Sequence, residues 1–207
     1  MIRVHHLENS RSQRILWLLE ELDMPYEVIR YERDPGTLLA PPSLRKVHPL
    51  GKSPVIEDEG RVLAETGAIV EYLVEKGEGR LGPPANRDTI LRYRQFLHYA
   101  EGSMMPPLLA LLVVNRLGLL GRPARKPLLA MFRHHLDWLE GELCTRAWFA
   151  GEEFTAADVM MSFPLEAARQ RAGLGPAHPN LLDWLERIHA RPAYAEALKR
   201  GGPYAYA

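Results

Sequence analysis

Three side chains that can donate hydrogen bonds lie close together near the start of the chain, at Asn9, Ser10 and Ser12. They follow a strand-like segment and come just before a helical pattern, so they lie where the first helix begins. Hydroxyl and amide donors beside the free N–H groups of a helix start can stabilise an anion. Ser is also favoured there as a helix cap, so each serine has a structural alternative.

Two further segments place polar groups at positions that suit binding. Lys52, Ser53 and Pro54 follow a glycine and lead into a strand-like run. Glu65 and Thr66 come directly before a helical run, so an acid and a hydroxyl lie at a helix start, which also suits an anion. The structural alternatives are a solvated lysine, an ordinary trans-proline and a plain helix cap.

The first eighty residues alternate between strand and helix patterns. Ile2–Leu7 and Tyr26–Tyr31 are predicted strands, separated by apolar residues at helical spacing within residues 15–22. The Asp-Glu-Gly turn at residues 58–60 predicts a hairpin, and helical spacing returns at residues 69–73. The order β-α-β followed by β-β-α predicts an α/β, thioredoxin-like domain.

The second half of the chain shows helical patterns only. Residues 77–86 are dense in Gly and Pro and form the best candidate for a linker. A helix is predicted from about Arg87, with a kink at Pro106-Pro107. A later helix has one buried stripe, formed by Leu129, Phe132, Leu136, Leu139 and Leu143. These patterns predict a first domain at residues 1–80 and an all-α helical bundle at residues 87–207.

Two more features belong to this helical half. Thr155 and Asp158 have the spacing of a capping box, in which the acid accepts a hydrogen bond from the N-cap amide. Apolar spacing then predicts a helix that ends near Pro192 and a last short helix at residues 194–199.

Composition narrows the function classes. Lys and Arg total 26 against 26 Asp and Glu, and no segment mixes clustered basic residues with aromatics, so we expect no nucleic acid partner. The longest apolar run, residues 108–114, is far short of the ~20 residues of a spanning helix, so we expect no membrane partner. The N-terminus has no signal-like segment, which favours a cytoplasmic product. Cys144 is the single cysteine, so an intramolecular disulfide cannot form. We predict that Cys144 packs as a small apolar residue.

This arrangement of motifs resembles the cytosolic glutathione transferases over nearly the whole chain, in particular their serine-type bacterial members. The resemblance depends on the order of four features: residues 9–14, residues 51–54, Glu65-Thr66, and the cap from Thr155 to Asp158. It implies an enzyme that activates the thiol of glutathione for attack on an electrophilic, hydrophobic small molecule in detoxification. A glutathione-dependent peroxidase or reductase, and a non-catalytic interaction protein with the same fold, are the alternatives.

The resemblance also implies which groups would favour the thiolate. A thiol has a reference pKa of about 8.5, and lowering it by about 2 units requires ~2.7 kcal/mol of preferential stabilisation of the anion. A hydroxyl and helix-start amides supply energies of that scale. Ser10 is the preferred donor, with the Asn9 amide and Ser12 as alternatives. Asn9 stands where many relatives carry Ser, which leaves the identity of the donor open.

The remaining roles are also carried over by resemblance. Pro54 is expected to be cis, so that the backbone of Ser53 faces the cysteinyl part of glutathione, and Lys52 is expected to pair with the glycyl carboxylate. Glu65 would meet the γ-glutamyl ammonium and Thr66 the γ-glutamyl carboxylate.

The second substrate and the assembly are less defined by the sequence. Tyr99, Met104 and Met105 are candidates to line the acceptor site, although apolar helical stripes are more often core. A homodimer is implied by the resemblance. No metal site is expected, because adjacent histidines on a strand or a helix do not share a chelating face.

Overall fold

The structure, a computed structural model, describes residues 1–206. These residues form two compact units. The first holds residues 1–82 and 189–205, and the second holds residues 83–188 with Tyr206.

A four-stranded sheet forms the centre of the first unit. Its strands are β1 (Ile2–Leu7), β2 (Tyr26–Tyr31), β3 (Val55–Asp58) and β4 (Arg61–Ala64), in the order β2-β1-β3-β4. β1 pairs with β2 in parallel, and β3 is antiparallel to both β1 and β4. The predicted thioredoxin-like order is therefore confirmed, including the hairpin.

Two helices begin at the ends of strands in this unit. α1 (Gln13–Glu21) follows β1, and α2 (Thr66–Lys76) follows β4. Every residue of α1 from Gln13 to Leu19 is buried, because the helix is covered on more than one side. The segment between β2 and β3 contains a short 3-10 helix, Pro42–Lys46, which buries Leu44.

The last helix, α8 (Pro192–Gly201), belongs to the first unit because it packs on α1. Arg191 donates to both carboxylate oxygens of Glu21, at 2.5 and 2.7 Å. The Trp17 and Tyr194 rings meet edge to face, with centroids 5.2 Å apart. The packing therefore differs from the predicted division, which assigned all of residues 87–207 to the helical domain.

The second unit is helical, as predicted. It contains α3 (Arg87–Tyr99), α4 (Met105–Arg116), α5 (Arg122–Cys144), α6 (Ala156–Arg171) and α7 (Pro179–His189). A π-helical segment, Ala100–Met104, joins α3 to α4, and a 3-10 turn, Gly118–Gly121, joins α4 to α5. The predicted stripe of α5 is buried from Phe132 onward, whereas Leu129 is only partly buried.

The break in the first long helix lies just before the position we predicted. The irregular turn is the π-helical segment Ala100–Met104, and Pro106 and Pro107 are in the first turn of α4. Proline is tolerated there because the N–H it lacks would have no partner within the helix. The helical stretch Arg87–Arg116 is long and apolar enough to cross a membrane by length and composition, and 39% of its apolar window is buried.

The predicted cap of α6 is confirmed. The backbone amide and the hydroxyl of Thr155 both donate to Asp158 Oδ2, at 3.0 and 3.2 Å. The other oxygen of Asp158 accepts from the Phe149 amide at 3.0 Å and from Trp184 Nε1 at 3.3 Å. Cys144 corrects a prediction, because it is exposed at the last position of α5 rather than packed as a filler.

Candidate thiol-binding site

The predicted site residues of the first unit meet at one end of the sheet. The register pairs His5 with Val55 and Val55 with Ala64, so the end of β1, the start of β3 and the end of β4 lie side by side. Residues 8–12, Ser53-Pro54 and Glu65-Thr66 directly adjoin these strand ends. α1 and α2 also begin here. Two helix N-termini at one edge make this end of the unit favourable for anions.

Asn9 has its side chain oriented by the C-terminal segment. Its backbone is left-handed, with φ of 49°, a conformation that Asn adopts more readily than most residues. Arg33 supports this turn by donating from Nη2 to the Asn9 carbonyl at 3.3 Å. The Ala205 amide donates to Asn9 Oδ1 at 2.7 Å. Since the carbonyl end of the side chain is thus occupied, its NH2 end is the one that can donate to a ligand.

Ser10 and Ser12 belong to a buried chain of hydrogen bonds that ends at His6. The two hydroxyl oxygens are 2.7 Å apart, and Ser12 Oγ is 2.9 Å from His6 Nδ1. Burial, followed by the positive charge of Arg30, lowers the pKa of His6 to about 4, so the ring is neutral. Ser12 Oγ also donates to the Leu7 carbonyl at 3.3 Å.

The two serines are also linked through the backbone, because the Ser12 amide donates to Ser10 Oγ at 3.2 Å. Ser12 is fully buried and Ser10 is 6% exposed. Both serine hydroxyls are therefore engaged with each other and with groups inside the protein.

Ser53 and Pro54 lie beside the end of β1. The peptide bond between them is cis, which confirms the predicted isomer. Ser53 Oγ donates to the His5 carbonyl at 2.8 Å and accepts from the Leu7 amide at 3.2 Å. Pro54, just before β3, has no N–H with which to continue the pairing with β1. The Ser53 hydroxyl supplies hydrogen bonds to the backbone of β1 at this point instead.

Glu65 and Thr66 form the start of α2, as predicted. Glu65 is the N-cap residue, with its side chain exposed and φ of 71°, while Thr66 is buried. A positive φ in a residue other than Gly typically costs about 1–3 kcal/mol and is concentrated at functional sites. Lys52, which precedes Ser53 in the chain, is exposed.

The predicted acceptor residues lie in the helical unit and are less accessible than their role would require. Met104 is fully buried and Met105 is 4% exposed. Tyr99 is partly buried, and its hydroxyl lies 2.5 Å from His135 Nδ1. Burial raises the pKa of the Tyr99 hydroxyl, which therefore stays protonated at neutral pH.

Two residues of the candidate site have no signal in the sequence. The sequence indicates only that His6 belongs to a pair of adjacent strand histidines, whereas in the structure it ends the hydrogen-bond chain of the two serines. Ala205 acts through its backbone amide, for which no side-chain signal exists. Within residues 1–206, no group of three or more His, Cys, Asp or Glu side chains is placed to hold a metal ion.

The first unit thus combines a thioredoxin-like sheet, a cis-proline and two helix starts at one edge. Comparison with known proteins identifies the class more closely. The family model for the glutathione S-transferase N-terminal domain matches residues 1–75, and the model for the C-terminal domain matches residues 122–187.

Individual proteins agree with these matches. Glutathione S-transferase 3 of Schizosaccharomyces pombe is 37% identical over 93% of this chain and 85% of its own length. A solved glutathione S-transferase from Actinobacillus pleuropneumoniae is 35% identical, with a TM-score of 0.89 over 100% of this chain and 95% of that one. A glutathione transferase family member from Pseudomonas fluorescens Pf-5, solved with two glutathione bound, is 25% identical, with a TM-score of 0.81 over 95% and 92% of the two chains.

The chain therefore belongs to the glutathione S-transferase family. It is a glutathione transferase, and glutathione is its substrate.

Proposed function

We propose that this transferase lowers the thiol pKa of glutathione mainly through the side-chain amide of Asn9, assisted by the N-terminus of α1. The orientation of the Asn9 side chain carries this proposal. Its Oδ1 is occupied by the Ala205 amide at 2.7 Å, which leaves the NH2 group as the donor at the edge where two helices begin.

The serines are weaker candidates for this role. The Ser12 hydroxyl is fully buried and bonds to His6, so it supports the loop rather than the ligand. Ser10 Oγ lies 2.7 Å from Ser12 Oγ and accepts from the Ser12 amide, so it is already engaged within the protein. A serine-type mechanism, expected from the sequence, requires the Ser10 hydroxyl to donate to the ligand rather than to Ser12.

The energies are consistent with one side-chain donor. A hydrogen bond to a charged group contributes about 1.5–3 kcal/mol, and a helix N-terminus adds about 0.3–1 kcal/mol. Lowering a thiol pKa by about 2 units needs ~2.7 kcal/mol. The Asn9 amide and the start of α1 are therefore sufficient together, without a general base.

The peptide part of glutathione is proposed to occupy the rest of this edge. The backbone of Ser53 would pair with the cysteinyl unit, and Lys52 with the glycyl carboxylate. Glu65 and Thr66 would bind the γ-glutamyl ammonium and carboxylate. The exposed acid and the strained backbone at the start of α2 support this assignment.

The second substrate is proposed to be a hydrophobic electrophile. The assignment of Tyr99, Met104 and Met105 to its site stays a prediction, and the burial of the two methionines does not favour it. A homodimer and a cytoplasmic location also stay predictions.

Steady-state kinetics with glutathione and a chlorodinitrobenzene test the proposed donor. Asn9→Gly removes the amide but keeps the left-handed backbone free of strain. Asn9→Asp keeps the acceptor for Ala205 but replaces the donor by a negative charge. We expect kcat/KM near neutral pH to fall about tenfold in the first variant, as the loss of about 1.4 kcal/mol implies, and further in the second.

The control is Asn86→Gly, because Asn86 caps α3 through its side chain and has no proposed thiol contact. Activity in Asn9→Asp equal to wild type would exclude Asn9 as the donor. Turnover of an organic hydroperoxide without conjugation would instead favour the peroxidase alternative.

A further inference from the structure

The exposed face of α4 and the turn that follows it carry a set of exposed apolar side chains, which we call the apolar tip. Leu119 and Leu120 are 72% and 85% exposed. The others are about half exposed, and the full set is Leu109, Val113, Leu117, Leu119 and Leu120. Contiguous exposed apolar surface of this kind marks an interaction site more often than isolated exposed residues do.

The apolar tip is held by an ordered turn. Gly118 has a φ of 57°, in the left-handed region that favours glycine. A Cβ atom on Gly121 would lie 2.0 Å from the Val114 carbonyl oxygen, so only glycine allows this close approach of the two chain segments. The exposure of Leu119 and Leu120 is therefore a consequence of a specific tight turn.

The surface around the apolar tip is positively charged. Residues 102–136 contain no Asp or Glu, although the whole chain has as many acidic as basic residues. The exposed cations of this segment are Arg116, Arg122, Arg125, Lys126 and Arg133. Within residues 1–206 none of them forms a salt bridge, whereas exposed cations such as Arg3 and Arg61 in the first unit do. Their charges are therefore available to an anionic partner.

The cations and the leucines are close enough to act on one surface. Arg122 and Arg125 line a hollow of about 460 Å³ together with Asn115 and Leu119. Arg125 Nε donates to Asn115 Oδ1 at 3.2 Å, a neutral partner that leaves the guanidinium charge uncompensated. A phosphate group in this hollow would meet two arginines next to an exposed leucine.

We propose that the apolar tip docks reversibly on an anionic phospholipid surface. Leu119 and Leu120 enter the boundary between headgroups and acyl chains, and the surrounding arginines and lysine bind lipid phosphates. Docking differs from crossing the membrane, because only the apolar tip enters the lipid boundary. A second copy of the chain fits less well, since a two-fold contact through this surface would bring its unpaired cations against the same cations.

Sedimentation of the full chain with vesicles tests this proposal. One set is phosphatidylcholine alone, and the other is an equimolar mixture with phosphatidylglycerol. We expect binding to the anionic vesicles only, weakened by added salt. The double variant Arg122→Gln with Arg125→Gln should weaken partitioning onto the vesicles about 25-fold, because each cation near the surface contributes about a fivefold factor. Leu119→Ser with Leu120→Ser should weaken it at least tenfold, because buried leucines contribute most of the insertion energy.

Matched controls come from the first unit. Leu38 and Leu39 are 45% and 66% exposed and lie outside residues 102–136, the segment without acidic residues, and Arg61 is an exposed cation with a carboxylate partner. Leu38→Ser with Leu39→Ser, and Arg61→Gln, should bind vesicles as wild type does. Circular dichroism and glutathione conjugation confirm that each variant is folded.

Absence of binding to anionic vesicles, or equal binding by the tip variants and wild type, would overturn the proposal. Sedimentation velocity adds a further outcome. If Leu119→Ser with Leu120→Ser dissociates a dimer and wild type shows no lipid binding, the apolar tip is a contact between copies instead.

Discussion

Removal of the Asp158 carboxylate is expected to destabilise the helical unit substantially. The carboxylate is completely buried and accepts from the Thr155 amide, the Phe149 amide and Trp184 Nε1. Asp158→Ala leaves these three buried donors unpaired, at about 1–3 kcal/mol each. Removing a buried charge returns part of this loss. Burial raises the pKa of Asp158 to about 6, which corresponds to about 3 kcal/mol of unfavourable charging at neutral pH.

The net expected loss is therefore about 3 kcal/mol at pH 7, or a fall in Tm of about 6–12 °C for a chain of this length. Urea denaturation followed by circular dichroism measures it. Asp183→Ala is the matched control, because Asp183 lies on α7 in the same unit, has 67% of its side chain exposed, and forms an ion pair with Arg187 at 2.9 Å. We expect the control to lose less than about 1 kcal/mol. Equal losses in the two variants would refute the reasoning.

The same carboxyl predicts a dependence on pH. Its folded-state pKa, about 6, lies above the unfolded value, so the folded protein binds this proton more tightly. The stability that this group contributes is full below about pH 4 and is lost as pH rises through 6. The difference in unfolding free energy between wild type and Asp158→Ala should therefore grow by about 1 kcal/mol from pH 7 to pH 5. A difference that is constant or shrinks over this range would contradict the raised pKa.

Two further changes probe the first unit. Ser53→Ala removes the hydrogen bonds to the His5 carbonyl and the Leu7 amide, so we expect the unfolding free energy to fall by about 1–2 kcal/mol. We also expect the KM for glutathione to rise several-fold with kcat little changed. An unchanged KM would show that Ser53 does not contribute to glutathione binding. Arg191→Met breaks the double hydrogen bond to Glu21, whose side chain is only 9% exposed. We expect the unfolding free energy, measured by urea denaturation, to fall by about 2 kcal/mol. No change would show that α8 is held by apolar packing alone.

Local patterns in the sequence were sufficient to predict most of the elements. Apolar spacing placed α1 and the buried stripe of α5, and the Asp-Glu-Gly turn placed the hairpin of β3 and β4. These signals depend on residues a few positions apart, which is why they can be recognised in a single sequence.

The placement of α8 was not predictable in this way. Its attachment to α1 depends on contacts such as that of Arg191 with Glu21, which are 170 residues apart. The sequence showed only that a helix would form near residues 194–199, and not which unit it would join. The break before α4 lies N-terminal to the kink predicted at Pro106-Pro107. Proline is compatible with the first turn of a helix, so its position does not mark the break itself.

The candidate site was predicted by residue type but not by orientation. The spacing identified Asn9, Ser10 and Ser12 together, whereas their different surroundings depend on tertiary structure. The Ala205 amide that orients Asn9 is 196 residues away, and the burial of Ser12 against His6 has no local signal. Likewise, the sequence could not separate core methionines from those of a pocket, and Met104 proved to be core.

The most direct test of the account is the thiol pKa of glutathione bound to the enzyme, measured by the ultraviolet absorbance of the thiolate across pH. Wild type should lower this pKa by about 2 units from about 8.5. Asn9→Gly should raise it by about 1 unit relative to wild type, and Ser10→Ala should change it less. Bound glutathione with an unshifted pKa in wild type, or a shift that Ser10→Ala abolishes and Asn9→Gly leaves intact, would contradict the assignment of Asn9 as the thiolate donor.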